Sequence, residues 1–272
     1  MVDKMGDRFK AYENVNRFYL TRRMPCILRL DMCHAHTYTK NFNHPFDHIF
    51  MEAMGETANQ LCQCIAGAKL AYVQSDEISI LLTDDDTLET QAWFDKNLQK
   101  MCSVAASMAS IFFYRAHDNA IKNFYYNCQE NNTVVPDWVC NHDNALKNMI
   151  AIFDCRAFIL PKEEVNNYFY WRESDCRRNS VNMMAHEYFT DKELLHKSTE
   201  ERKEMLFDRK NVQWELIPSF YKNGVCVRKY KRVEKVTYNN QTLEVPRRRW
   251  EIDYNIPIFI QKPDYIEQLL NI

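Results

Sequence analysis

Two acidic positions in this chain are placed to do chemistry together. Asp31 closes the mostly apolar run Cys26 to Asp31, and Asp76-Glu77 sits in the polar turn Gln74 to Glu77 between two further apolar runs. If those runs are neighbouring strands, the carboxylates converge at one end of a sheet, where they repel each other unless a cation lies between them. Hard oxygen ligands, with no His or Cys in that turn, suit Mg²⁺. Two such ions about 3.5–4 Å apart can activate an attacking oxygen and stabilise a leaving one in phosphoryl transfer. Polar turns are also commonly acidic for solvation and capping, and on residue types alone that is the simpler reading.

The elements that must position these groups follow from periodicity. Apolar spacing predicts helices over residues 8–20, 46–65 and 91–115, and strands at 26–31, 69–73, 78–83 and 151–160. The order β-α-β-β-α-β over roughly residues 25–160 is the ferredoxin-like plan of the α+β class, an antiparallel sheet with helices on one face. Residues 123–148, rich in Asn and Tyr, read as a long loop. Beyond Pro161, helices are expected at 163–189 and 200–207, then strands between 225 and 260 with Asn239-Asn240 as a hairpin turn. The expected organisation is a catalytic domain over residues 1–160 and a helical and β-hairpin region over 161–272.

Composition bounds the class. With 272 residues, 46% hydrophobic and 13% aromatic, the chain can bury a sizeable core, which argues against disorder. No uninterrupted apolar run approaches eighteen residues, so no membrane span is expected. The first ten residues hold Asp3, Lys4, Asp7, Arg8 and Lys10 and read neither as an export signal nor as an import presequence, which suggests a cytoplasmic protein. Ten scattered cysteines without C-x-x-C pairs suit free thiols better than disulfides or zinc. A net charge of -2 gives no global field for nucleic acid, so any basic footprint must be local.

One such footprint stands in the C-terminal strands. Residues 228–249 carry eight basic residues, Arg247, Arg248 and Arg249 among them, against Glu234 and Glu244, with Tyr230, Tyr238 and Trp250 nearby. Cations on a ribbon neutralise phosphates and aromatics stack on unpaired bases, which suits RNA. An edge strand using Lys and Arg to prevent edge pairing accounts for it equally well.

Four strings occur in order: R-L-D-M-C-H-A-H from Arg29, Y-V-Q-S-D-E-I-S from Tyr72, F-D-C-R from Phe153 and W-R-E-S-D-C-R-R-N-S from Trp171. Together with E-R-K-E-M-L-F from Glu201 they resemble the tRNA-His guanylyltransferase family of 3′–5′ polymerases, over about residues 8–225. Arg178-Asn179-Ser180 is more similar to the guanylyltransferase-like branch, which repairs tRNA 5′ ends on a template, than to the eukaryotic H-I-N-N form. The resemblance implies a polymerase-like palm. A 5′ phosphate is activated by ATP or arrives as a triphosphate, and the 3′-hydroxyl of an incoming nucleoside triphosphate, GTP for example, attacks it and releases AMP or pyrophosphate.

By position, the resemblance makes Asp31 and Asp76 the carboxylates for two Mg²⁺ ions, with the carbonyl of Met32 as a further ligand and Glu77 as a weaker catalytic candidate. Cys33, His34, Ala35, His36 and His44 would face the triphosphate, with Ser75 by the activation site. Arg156, Arg178, Asn179 and Lys203 become candidates for phosphate or RNA contacts. A homotetramer is the assembly implied.

The departures cluster at the same loop. Met32 stands in place of a glycine, where a positive φ would cost about 1–2 kcal/mol. Cys33 replaces a basic residue, Ala35 an aromatic one and His44 a lysine, which exchanges a fixed charge for a proton-dependent one. Val73 and Cys155 also stand where glycines are usual. Besides an active 3′–5′ nucleotidyltransferase, the chain thus admits a relative that binds tRNA or nucleotide without polymerising and, more remotely, a cyclase-like palm acting on free nucleotides.

Overall fold

The computed structural model describes residues 4–238 and 241–270. One antiparallel sheet contains β1 Cys26–Cys33, β2 Ala68–Gln74, β3 Glu77–Leu82, β4 Ile152–Ile159, β5 Val225–Tyr238 and β6 Gln241–Asp253. The helices are α1 Lys4–Asn14, α2 Ala35–Thr39, α3 His48–Cys64, α4 Leu98–Glu130, α5 Val139–Asn148, α6 Lys162–Tyr188, α7 Asp191–Leu194, α8 Thr199–Lys210, α9 Ser219–Asn223 and α10 Asp264–Glu267. The strand order β4-β1-β3-β2-β5-β6 is the expected ferredoxin-like set extended by the C-terminal hairpin.

Strand alternation assigns the two faces. On β1, Cys26, Leu28, Leu30 and Met32 point into a core shared with Ile49, Ala53 and Leu61 of α3 and with Ala105 and Phe113 of α4. Burying an Ile or Leu of this kind contributes about 1.5–3 kcal/mol each. Ile27, Arg29 and Asp31 point the other way. There Ile27 joins Leu70, Tyr72 and Leu81 under Val165 and Phe169 of α6 and Phe259. The expected helical layer is α3 and α4; α6, from the C-terminal region, adds a second layer on the opposite face. It reaches Phe158 of β4, whose ring lies 5.7 Å from that of Tyr168, but leaves Asp154 and Arg156 at the other end of β4 exposed.

Several boundaries differ from periodicity. The first helix ends at Asn14 and buries none of its residues. The long helix starts at Leu98 because Phe94, Asp95 and Lys96 take left-handed φ of 48°, 50° and 57°, and Asn97 then caps it by accepting from the Lys100 N–H at 3.0 Å. Residues 123–148 are mostly helical rather than a loop, since α4 continues to Glu130 and α5 follows. Their Asn and Tyr content masked an inward face of Cys128, Val139, His142 and Ala145. The expected turn at Asn239-Asn240 lies outside the described residues. All ten cysteines are free.

One glycine is required where the hairpin joins the sheet. Gly224 has φ 78°, and a Cβ there would lie 2.4 Å from the Val73 carbonyl oxygen and 2.9 Å from the Tyr72 hydroxyl. That close approach lets Tyr72 donate to the Asn223 carbonyl at 2.7 Å and brings β5 alongside β2.

Candidate active site

Asp31 lies on an interior strand directly between Glu77 of β3 and Asp154 of β4, all three on the face away from α3 and α4. Asp76, in the β2–β3 turn, completes the group, and its carbonyl accepts from the Met32 N–H at 3.1 Å. Partial burial, and then the charges of Asp76, Glu77 and Asp154, push the Asp31 carboxyl above the usual carboxylate range, with Arg156 pulling the other way. The sheet register also sets Arg29 opposite Arg156 on this face.

Glu77 is engaged differently from the two aspartates. It accepts from Arg172 of α6 at 2.8 and 2.9 Å, and from the Ser79 hydroxyl at 3.3 Å. Arg172 also reaches Asp175 at 3.2 Å, and Asp175 pairs with Arg178, so charge alternates along one side of α6. Glu77 thus holds α6 against the sheet, leaving Asp31 and Asp76 as the less committed carboxylates.

The loop after β1 divides the predicted triphosphate residues. Ala35, His36 and His44 line a cleft of about 680 Å³ together with Asp47, Ser75 and Asp76. Cys33 and His34 line a different hollow, beside Met149, Ile150 and Ile152. The Met32 backbone is extended within β1 and its side chain is buried, so the left-handed geometry considered for it is absent there. It occurs instead at His34, φ 58°, and at Ser75, φ 47°. An adjoining apolar cleft of about 670 Å³ shares Asp47, Phe50, Ser75 and Met183 and includes Asn179, with Phe46 and Tyr221 stacked 4.8 Å apart in its wall.

The predicted RNA contacts are dispersed. Arg156 lies on β4 and Asn179 in the apolar cleft, while Arg178 and Lys203 line a separate cleft between α6 and α8. In that cleft Lys203 sits 4.4 Å from the Trp214 ring centroid and pairs with Glu200. Arg177 and Lys222 approach the same indole at 5.2 and 5.0 Å. Burial, Arg177 and Lys203 hold the Lys222 amine below the usual lysine range. On the hairpin, alternation separates the three arginines. Arg247 and Arg249 share a face with Arg232, Glu234 and Glu251, where Arg249 pairs with Glu234 and Arg232 with Glu251. Arg248 lies on the opposite face beside Lys231, and Lys229 there sits 4.8 Å from the Trp250 ring centroid.

The site's charge fits a divalent cation. Asp76, Glu77 and Asp154 surround Asp31, with Arg172 holding Glu77, yet among the described residues no group of three or more His, Cys, Asp or Glu side chains is arranged to hold a metal ion. A cation here would take carboxylate oxygens from Asp31 and Asp76, the Met32 carbonyl, and oxygens from water or phosphate, a set that suits Mg²⁺. Sequence reasoning missed Asp154 and Arg172. Alternation along F-D-C-R signals the shared face of Asp154 and Arg156, and the three-residue spacing of Arg172, Asp175 and Arg178 signals a helical charge row. Nothing local signals that Arg172 meets Glu77.

A palm-like sheet with facing carboxylates at the end of an interior strand, beside a polar cleft, defines a nucleotidyltransferase type of site. Residues 6–161 match the model of the tRNAHis guanylyltransferase family (Thg1), and the chain belongs to that family. A solved bacterial tRNA(His) guanylyltransferase (Thg1)-like protein in complex with ATP is 38% identical with a TM-score of 0.79, covering 98% of this chain and 99% of that one. A second such structure, in complex with GTP, is 37% identical with a TM-score of 0.74, over 99% and 100% of the two chains. The tRNA(His) guanylyltransferase of Schizosaccharomyces pombe is 24% identical over 242 residues, 82% of this chain and 80% of that protein. The chain is an enzyme, a nucleotidyltransferase. Among its described helices none is long and apolar enough to cross a membrane.

Proposed function

We propose that this enzyme adds nucleotides to the 5′ end of tRNA in the 3′–5′ direction, directed by a template base. The observation that carries this reading is the meeting of Asp31 and Asp76 beside the cleft lined by His36, His44 and Ser75. Solved bacterial relatives hold ATP and GTP, which supports nucleoside triphosphates as substrates.

Asp31, Asp76 and the Met32 carbonyl would hold two Mg²⁺ ions, which when bound supply charge neutralisation and activation of the attacking hydroxyl. His36, His44 and Ser75 orient the triphosphate, and the adjoining apolar cleft, with Phe46, Tyr221 and Asn179, offers room for a base and ribose. Arg172 keeps Glu77 fixed, so that the facing aspartates are held in register. The 3′-oxygen of the incoming nucleotide forms a bond to the phosphorus attached directly to the RNA 5′ oxygen as that phosphorus loses its bond to AMP or pyrophosphate, and the hydroxyl proton passes to water. Arg178, Lys203 and the basic hairpin guide the RNA, and the exposed Phe9 and Tyr12 of α1 suit burial against a second copy in a homo-oligomer.

The test is incubation with Mg²⁺, labelled GTP and a tRNA lacking its 5′ nucleotide, as the monophosphate with ATP and as the triphosphate. Lengthening of both forms supports activation and addition together; lengthening of the triphosphate alone supports addition only. With neither lengthened while tRNA binds tightly, the polymerase reading fails and the non-polymerising binder replaces it.

A further inference from the structure

Four buried polar side chains form one hydrogen-bonded chain behind the cleft. The Tyr38 hydroxyl lies 2.9 Å from His117 Nδ1, His117 Nε2 lies 2.9 Å from His142 Nδ1, and His142 Nε2 lies 2.9 Å from Asp47 Oδ2. Both histidines are fully buried. Each member comes from a different place: Tyr38 from α2, His117 from α4, His142 from α5, and Asp47 from the residue that starts α3.

An ionised carboxylate can only accept, so His142 Nε2–H donates to Asp47. Donation running from Tyr38 through His117 and His142 to Asp47 then satisfies all three bonds. Burial and the neighbouring His142 hold His117 neutral, with a pKa lowered to about 3. Burial alone would raise Asp47, but the His142 hydrogen bond and the Phe50 and Asn43 N–H groups hold it below the usual carboxylate range.

Asp47 is the outer end of the chain, and it sets the cleft wall. Its Oδ1 accepts from the Phe50 N–H at 2.7 Å and its Oδ2 from the Asn43 N–H at 2.9 Å, which closes the segment that carries His44. Phe42 of that segment stacks on His142 at 3.8 Å, and Asn141 of α5 donates to the Asn41 carbonyl at 2.7 Å. At the inner end, Tyr38 fixes α2, which carries His36. The two cleft segments with nucleotide-facing histidines are therefore pinned to α4 and α5 through one chain.

We propose that His142 and His117, which do not line the cleft, are positioning residues for nucleotide binding, acting through Asp47 and Tyr38 to set the spacing of His44 and His36. This rests on the reading of that cleft as the nucleotide site.

Equilibrium binding of GTP with Mg²⁺ to the full chain tests it, with tRNA binding and thermal melting measured in parallel on His142→Leu, His142→Gln and Tyr38→Phe. The glutamine amide can place an N–H near the Nε2 position, and Tyr38→Phe removes only a hydroxyl, so those two variants carry the test should His142→Leu fail to fold. His142→Leu is expected to weaken GTP binding about tenfold or more and Tyr38→Phe about threefold, with His142→Gln recovering most of the loss and tRNA binding unchanged. GTP affinities of the leucine and phenylalanine variants within about twofold of wild type, even with lower melting temperatures, overturn the positioning role and leave a purely structural chain. A glutamine variant as impaired as the leucine one overturns the donor to Asp47 as its cause. A wild-type protein that binds no GTP overturns the nucleotide reading of the cleft itself, and that outcome is distinct from the other two.

Discussion

Arg172 clamps Glu77 through two parallel hydrogen bonds of 2.8 and 2.9 Å, on the sheet face that carries Asp31. The two side chains are only 10% and 12% exposed, so the clamp is largely shielded from water. Removing the arginine alone would leave a carboxylate with too few partners beside Asp31. Arg172→Met should therefore cost about 3–5 kcal/mol in urea denaturation, and adding Glu77→Gln should restore a good part of it. A loss below about 1 kcal/mol would show that water compensates Glu77 and that the clamp does not hold α6.

The aspartates behave oppositely. Asp31→Asn and Asp76→Asn should each lower nucleotide addition by about 10²-fold or more while tRNA affinity stays near wild type. Because Asp31 is crowded by like charges, its replacement should not lower the melting temperature. Addition at the wild-type rate in either variant would remove the proposed metal site.

Met32 is buried in an extended strand, so a glycine in its place would not relieve strain here. Met32→Gly should instead destabilise the protein by about 2–5 kcal/mol through the vacated core volume. A gain in melting temperature would contradict this account.

The hairpin's two faces should separate in RNA binding. Arg249 is already paired with Glu234, whereas Lys231 and Arg248 form no ion pair among the described residues and lie on the face with Lys229 and Trp250. Lys231→Gln with Arg248→Gln should weaken tRNA binding and lower the salt slope by about one to two ions, more than Arg249→Gln does. Equal effects from both faces would mean that the ribbon meets RNA without preference for a side.

His117 makes stability depend on pH. Its folded pKa of about 3 lies below the unfolded value, so the unfolded chain binds the extra proton and stability falls as pH drops from about 6.5 toward 3. Between pH 7.5 and 5.5 this contributes a loss of about 1.4 kcal/mol, which His117→Gln should remove. Parallel denaturation curves for both proteins at the two pH values read the difference, and an identical pH dependence would mean that His117 is not the group responsible.

Periodicity and residue type determined a good deal. The apolar runs at 26–31, 69–73 and 78–83, with helical spacing in 46–65, were enough to anticipate the βαββαβ sheet and to put Asp31 and Asp76 at one end of it, because short apolar runs joined by an acidic turn leave few other arrangements. The ordered motifs pointed to the family for the same local reason: each is a contiguous string. Helix boundaries were less legible where the inward face is built from His142, Ala145 and Cys128 rather than large apolar residues.

Tertiary structure alone decided which partners meet. Glu77 and Arg172 are separated by 95 residues, and His142 and Asp47 by the same number, so no local pattern couples them. Strand pairing placed Asp154 beside Asp31, and the fold of α2 turned His36 toward Asp76 but Cys33 and His34 toward another hollow. Sequence spacing fixes the face on which a side chain stands, while packing between distant elements fixes what it touches, and it is the second that separates a free carboxylate from one already held by an arginine.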